Sequence, residues 1–141
     1  MAIKYGLYKD LGDEIVYVPV KQSETWSSGS LVDLDASGDA EACDADDVPF
    51  GVSADTITTA DAPAADGAIK RAVYVGGNNW YVFPPDTGTV TNAIVGKLMD
   101  VGGAQSVNID QSTQNSLRCV GVDLANNLVY VVLNTSAVAG V

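Results

Sequence analysis

The stretch Asp33–Asp44, DLDASGDAEACD, carries oxygen-bearing side chains at the spacing of a calcium loop. Asp33, Asp35, Ser37, Asp39 and Glu41 alternate along it, and Gly38 stands in the sixth place. A calcium hand takes ligands at loop positions 1, 3, 5, 7, 9 and 12, with glycine at 6 and a bidentate glutamate at 12. Here the twelfth residue is Asp44, one methylene shorter, and the eighth is Ala40, where such loops place a larger apolar residue. The flanks, SSGSLV and DDVPFGV, are strand and turn material, which argues against a helix–loop–helix hand. Two readings remain. One is a calcium site on a β-scaffold, held by Asp33, Asp35, Ser37, Asp39 and Asp44. The other, which is the expectation, is an exposed acidic turn between two strands, closed by its own Asp and Ser side chains.

Little else in the chain has the composition of a catalytic site. There is no histidine, so the commonest general base near neutral pH and the commonest transition-metal ligand are missing. Ser-His-Asp and Cys-His arrangements cannot form within this chain. The two cysteines, Cys43 and Cys119, lie in no CxxC motif, which removes zinc-finger and thioredoxin-type readings. Pairing with each other stays open, and the expectation is two small buried or half-buried thiols. Pairs of carboxylates abound, but a glycosidase needs two of them isolated in a cleft, and no pair stands out. The chain is therefore expected to be no enzyme and to need no cofactor. The aromatic residues offer a different chemistry. On a strand, NNWYVF presents Trp80 and Val82 to one face and Tyr81 and Phe83 to the other. Such a face, or Trp26, suits a sugar or a protein partner, while sheet packing is the commoner use of strand aromatics.

The elements that must position these residues are strands. No window of a dozen residues has apolar positions at i, i+3, i+4 and i+7. Short β-type runs recur instead between Gly, Asn, Asp, Ser and Pro: residues 15–20, 31–34, 50–54, 69–75, 80–83, 93–99, 107–109, 117–122 and 128–133. Regular short strands indicate an all-β fold, a compact antiparallel barrel, a tulip-like variant or a sandwich, with long loops. Two turns read as hairpins, Gly76–Asn79 and the one around Asn126 and Asn127, because Gly and Asn tolerate positive φ. Residues 1–14, with Lys4, Tyr5, Leu7 and Tyr8, form an edge strand or an arm that orders against a partner. Residues 15–141 form one β-domain.

Charge narrows the partners. The net charge is -11, and no Lys or Arg occurs from Gln22 to Ile69, where eleven acids fall. Seven basic residues cannot replace many counterions on a phosphate backbone, which argues against nucleic acid. The same charge argues against an anionic membrane surface. No apolar run reaches the ~20 residues of a membrane span, and the first residues have no signal-peptide pattern. Synthesis in the cytosol is expected.

One stretch resembles a known family. Gly29–Asp35, GSLVDLD, is a glycine-led strand ending in an acidic turn, and Pro49–Ala54, PFGVSA, is a strand running into small residues. Together with AIKRAVYV and LRCVGVDLANNLVYVVLN further on, they are similar to the small decoration, or cement, proteins of tailed-bacteriophage heads. The resemblance covers about two-thirds of the chain in segments and consists of turns and strands. It implies a virion structural protein: a homotrimer on the outer capsid surface, clamping copies of the major capsid protein and stabilising the head. A terminal arm, Ala2–Leu11 or the C-terminal NTSAVAGV, would make that grip. Lys4, Tyr5, Leu7, Tyr8, Trp26 and Trp80 are the candidate contact residues. The long acidic middle and the insertion at Ala60–Gly67 depart from the smallest members. The rival readings are a recognition module that binds glycan through an aromatic face, and a tail or head-completion protein.

Overall fold

A computed structural model describes residues 4–135. Its elements are β1 (Gly6–Lys9), β2 (Glu14–Pro19), β3 (Leu31–Leu34), β4 (Ala40–Ala42), β5 (Gly51–Ser53), β6 (Lys70–Val75), β7 (Trp80–Phe83), a 3-10 turn (Asn92–Ile94), β8 (Leu98–Gly103), β9 (Ser106–Asn108), β10 (Leu117–Asp123) and β11 (Leu128–Leu133). They form two antiparallel sheets, ordered β1-β7-β11-β10-β8-β9 and β2-β6-β5-β3-β4. The two sheets make a sandwich and not the closed barrel that the strand pattern equally allowed, and single bridges, Val20 to Ala40 and Pro85 to Val107, reach the outer edges of β4 and β9. No helix among the described residues is long and apolar enough to cross a membrane.

Alternation explains the first layer. On β7, Tyr81 and Phe83 are fully buried and pack with Val129 and Val131 of β11 in the core between the sheets. Tyr81 lies opposite Val131 and Phe83 opposite Val129, while Val82 faces Tyr130 on the other side. The expected division of NNWYVF between two faces is the observed one.

The middle of the five-stranded sheet is buried on both faces, while β2 at its edge leaves Ile15 and Tyr17 exposed. Leu31 and Val52 point into the inter-sheet core. Val18, Val20, Val32, Ala40 and Val73 point the other way, into a second core closed by Trp26 and Ile57. Those two residues come from long loops and exchange backbone hydrogen bonds at 3.2 and 2.9 Å. A strand covered on both sides has no polar face, which is why LVDL and GVS show no clean alternation.

Three sequence expectations change. The turn Gly76–Asn79 joins β6 to β7, which belong to different sheets, so it is a corner of the sandwich and not a hairpin. Gly76 takes a φ of 118° there, a value open to glycine. Asn126 and Asn127 do close a hairpin, with Asp123 opposite Leu128. The run 93–99 is no strand: it is the 3-10 turn followed by Gly96 at φ 88°, and pairing begins at Leu98. Finally, β4 lies inside the stretch with calcium-loop spacing. Its sequence, AEA, has no β-branched residue to announce a strand.

Candidate functional site

The contact candidates of the N-terminal segment divide over three places. β1 pairs with β7 at the edge of the six-stranded sheet, and a bulge between Leu7 and Lys9 shifts the register. Bulges re-aim side chains, and this one turns both Tyr8 and Lys9 outward. Tyr8 packs against Tyr130 with ring centroids 4.4 Å apart and the rings tilted by 46°, and the Trp80 ring lies 6.4 Å from that of Tyr130. The Lys9 ammonium sits 5.1 Å from the centre of the Trp80 ring, within cation–π range. Tyr8 remains 55% exposed. Tyr8, Lys9, Trp80 and Tyr130 thus make one aromatic patch on the outer face of that sheet.

Leu7 lies opposite Tyr81 and so turns to the inter-sheet side, where the sandwich is open. Leu11, Ile15 and Tyr17 are also exposed, Tyr17 at 71%. Ile15 and Tyr17 belong to β2, a six-residue strand whose outer edge has no strand partner among the described residues. Lys4 and Tyr5 line a cleft of about 520 Å³ with Ser27, Ser28, Thr56 and Gln105. Some of its polar groups already pair with one another: Ser28 N–H donates to Thr56 Oγ1 at 2.9 Å, and Gln105 Nε2 donates to the Ser28 carbonyl at 3.2 Å. Trp26 is not on any surface. It is buried in the second core, on the other sheet from Trp80.

The acidic stretch is a β-hairpin. β3 and β4 pair with Asp33 opposite Glu41 and Leu34 opposite Ala40. In the turn, Asp35 Oδ1 accepts from Ser37 N–H at 2.8 Å and from Asp39 N–H at 3.0 Å. Gly38 takes a φ of 85°. The carboxylate of Asp35 therefore closes the turn, as the second sequence reading held. The five proposed calcium ligands, Asp33, Asp35, Ser37, Asp39 and Asp44, do not converge. Asp33 stands on β3 opposite Glu41, the Asp35 carboxylate is spent on the amides of the turn, and Asp44 lies beyond β4.

A different set does converge. Donor atoms of Asp33, Cys43 and Asp47 lie within 4.8 Å of one another. The register accounts for it. Cys43 is two residues beyond Glu41, the partner of Asp33, so it is the diagonal neighbour on the same face of the sheet. That face looks into the inter-sheet core, where Cys43 packs with Leu31. Asp47 arrives from the following loop, which is held by Asp44 N–H on Asp47 Oδ2 at 2.8 Å and by Asp46 N–H on the Val101 carbonyl at 2.9 Å. Burial raises the Asp33 carboxyl, and the charges of Asp47 and Glu41 add to it, to about 7. Burial likewise pushes the Cys43 thiol far up.

Asp100 is the informative contrast. It is wholly buried, yet its carboxylate accepts the N–H groups of Thr113, Gln114 and Asn115 at 3.1, 2.8 and 2.9 Å. Its burial is compensated by donors. Asp33 Oδ1 is closed off from solvent and has no donor.

Cys43 and Asp47 escaped the sequence reading because no local motif joins them to Asp33. Recognition of β4 would have supplied the missing signal, since the hairpin register alone aligns Asp33 with Cys43. The two cysteines are free and buried, as expected. No protein family, curated protein or solved structure was found to match the chain.

Proposed function

We propose that the chain is a non-enzymatic virion structural protein that decorates a tailed-phage capsid and stabilises the head. It assembles as a homotrimer and binds the major capsid protein on the outer shell. The observation that carries the reading is the gathering of Tyr8, Lys9, Trp80 and Tyr130 on one face beside β1. Exposed aromatic residues flanked by a cation have the composition of protein-contact hot spots. The resemblance of GSLVDLD and PFGVSA to cement proteins supports this class, and an acidic exterior would keep many displayed copies soluble. Many weak contacts on a repeating lattice add up to firm attachment.

Light scattering of the purified protein tests the trimer, and co-sedimentation with expanded capsid shells tests the partner. Retention on expanded shells and loss from immature ones is expected. Failure to sediment with either kind of shell would overturn the reading. The same aromatic patch favours one rival, a glycan-binding module, since sugars stack on exposed Trp and Tyr rings. Binding on a glycan array that Trp80→Ala abolishes would move the conclusion there.

A further inference from the structure

The charges around Asp33 leave a deficit that the protein does not fill. Two carboxylates and a thiol meet within 4.8 Å. Cys43 is only 3% exposed, and its sulfur makes no hydrogen bond, whereas the Cys119 sulfur has the Gly121 carbonyl at 3.3 Å. Asp33 Oδ1 is sealed from water without a donor. The two salt bridges among the described residues, Lys21–Glu41 and Arg71–Asp55, bring no cation to Asp33 or Asp47. A sealed carboxylate oxygen without a donor is costly, and a cation held there would remove the cost.

We propose that Asp33, Cys43 and Asp47 form a divalent-metal site of the zinc class, which pins the β3–β4 hairpin to the 44–47 loop. The donor types select the ion. A thiolate favours a borderline or soft cation such as Zn²⁺ or Co²⁺ over Ca²⁺ or Mg²⁺, which take oxygen alone. Three protein donors leave a fourth tetrahedral position for water, on the side where Asp33 and Asp47 are half exposed. Zinc–oxygen and zinc–sulfur bonds of about 2.0–2.3 Å place neighbouring donors roughly 3.5 Å apart. The three side chains thus close inward by about 1 Å on binding, within the reach of small rotamer adjustments. The ion takes the place of protons on the thiol and the carboxyl, so its affinity rises with pH. The role is structural. Asp46 N–H already ties the loop to Val101 of β8, and the metal would fasten the same loop to the β3–β4 hairpin.

Cobalt titration of the chelator-stripped full-length protein tests this. One Co²⁺ per chain is expected, with a thiolate-to-cobalt charge-transfer band in the near ultraviolet that Zn²⁺ displaces. Cys43→Ser removes the band and Cys119→Ser keeps it. Asp33→Asn and Asp47→Asn leave the thiol in place and each weaken Co²⁺ binding by about tenfold or more, the scale at which even outer-shell partners of a metal act. Those two variants keep the test decisive if Cys43→Ser does not fold. The absence of a thiolate band in the wild-type protein overturns the proposal. So does a band that survives Cys43→Ser, or cobalt binding equally strong in both aspartate variants, which would mark an ion held by exposed acids.

Discussion

Asp13 and Asn79 hold each other by reciprocal hydrogen bonds. Asp13 Oδ2 accepts the Asn79 N–H at 2.8 Å, and Asn79 Oδ1 accepts the Asp13 N–H at 3.2 Å. The pair reaches further: Asn79 Oδ1 also accepts from Leu11 N–H, and Asp13 also accepts from Asn78 N–H. The link between β1 and β2 is thereby clasped to the corner where the chain passes from one sheet to the other. Asn79 is completely buried, so Asn79→Ala strands backbone donors and is expected to cost about 1–3 kcal/mol. Urea denaturation measures it, and a loss well below that range would mean that water takes over the contacts.

Gly29 fixes the other side of β1. Its φ is 86°, and a Cβ there would run into the Tyr5 carbonyl and the Gly6 backbone. Gly29→Ala therefore combines a left-handed strain of about 1–2 kcal/mol with a clash that displaces Tyr5. Faster amide exchange at Leu7 and Tyr8, with β10 and β11 protected as before, is the expected pattern.

The outer patch is separable from stability. Trp80→Ala and Tyr8→Ala remove half-exposed rings, and Tyr17→Lys alters a side chain in solvent. Tyr17→Lys should stay within about 0.5 kcal/mol of the parent. The two ring deletions should abolish capsid co-sedimentation while the chain stays folded by circular dichroism. Capsid attachment undiminished in both ring variants would place the contact elsewhere.

Asp33 predicts an unusual pH response of the metal-free protein. Its carboxyl is raised to about 7 in the fold, against about 4 in the unfolded chain. The folded state thus holds the extra proton between those values, and the stability this gives is complete below about 4 and lost as pH rises through 7. Thermal melts in chelator from pH 5 to 8 should show a falling midpoint, and Asp33→Asn should flatten it. A flat wild-type profile would mean that Asp33 is ionised throughout.

Much of this architecture was legible in the residues. The β3, β7 and β11 ranges coincide with the apolar runs 31–34, 80–83 and 128–133, because those runs pair Val, Leu, Tyr and Phe with firm turn residues on both sides. Legibility failed where tertiary context decides. Gly76–Asn79 has hairpin chemistry, yet Asp13, more than sixty residues earlier, captures its amides and turns it into a corner. AEA pairs only because β3 offers its edge. Trp26 reads as a surface aromatic in TWSSG, but the covering of the five-stranded sheet by loops draws it inside. The converging trio was hidden for the same reason, since register brings Cys43 to Asp33 and a loop brings Asp47.

The loop layer over the second core also bears on how the protein can be altered. Thr58–Gly67 looks expendable in sequence, but Ile57 just before it seals Trp26, while Pro63 and Gly67 within it donate or accept backbone bonds with Ser23 and Val20. A peptide spliced there would open the back of the five-stranded sheet. The β10–β11 turn is the opposite case: Leu124, Ala125 and Asn126 are exposed and belong to neither core. It is the place to graft a foreign epitope or a fluorophore tag without disturbing either core.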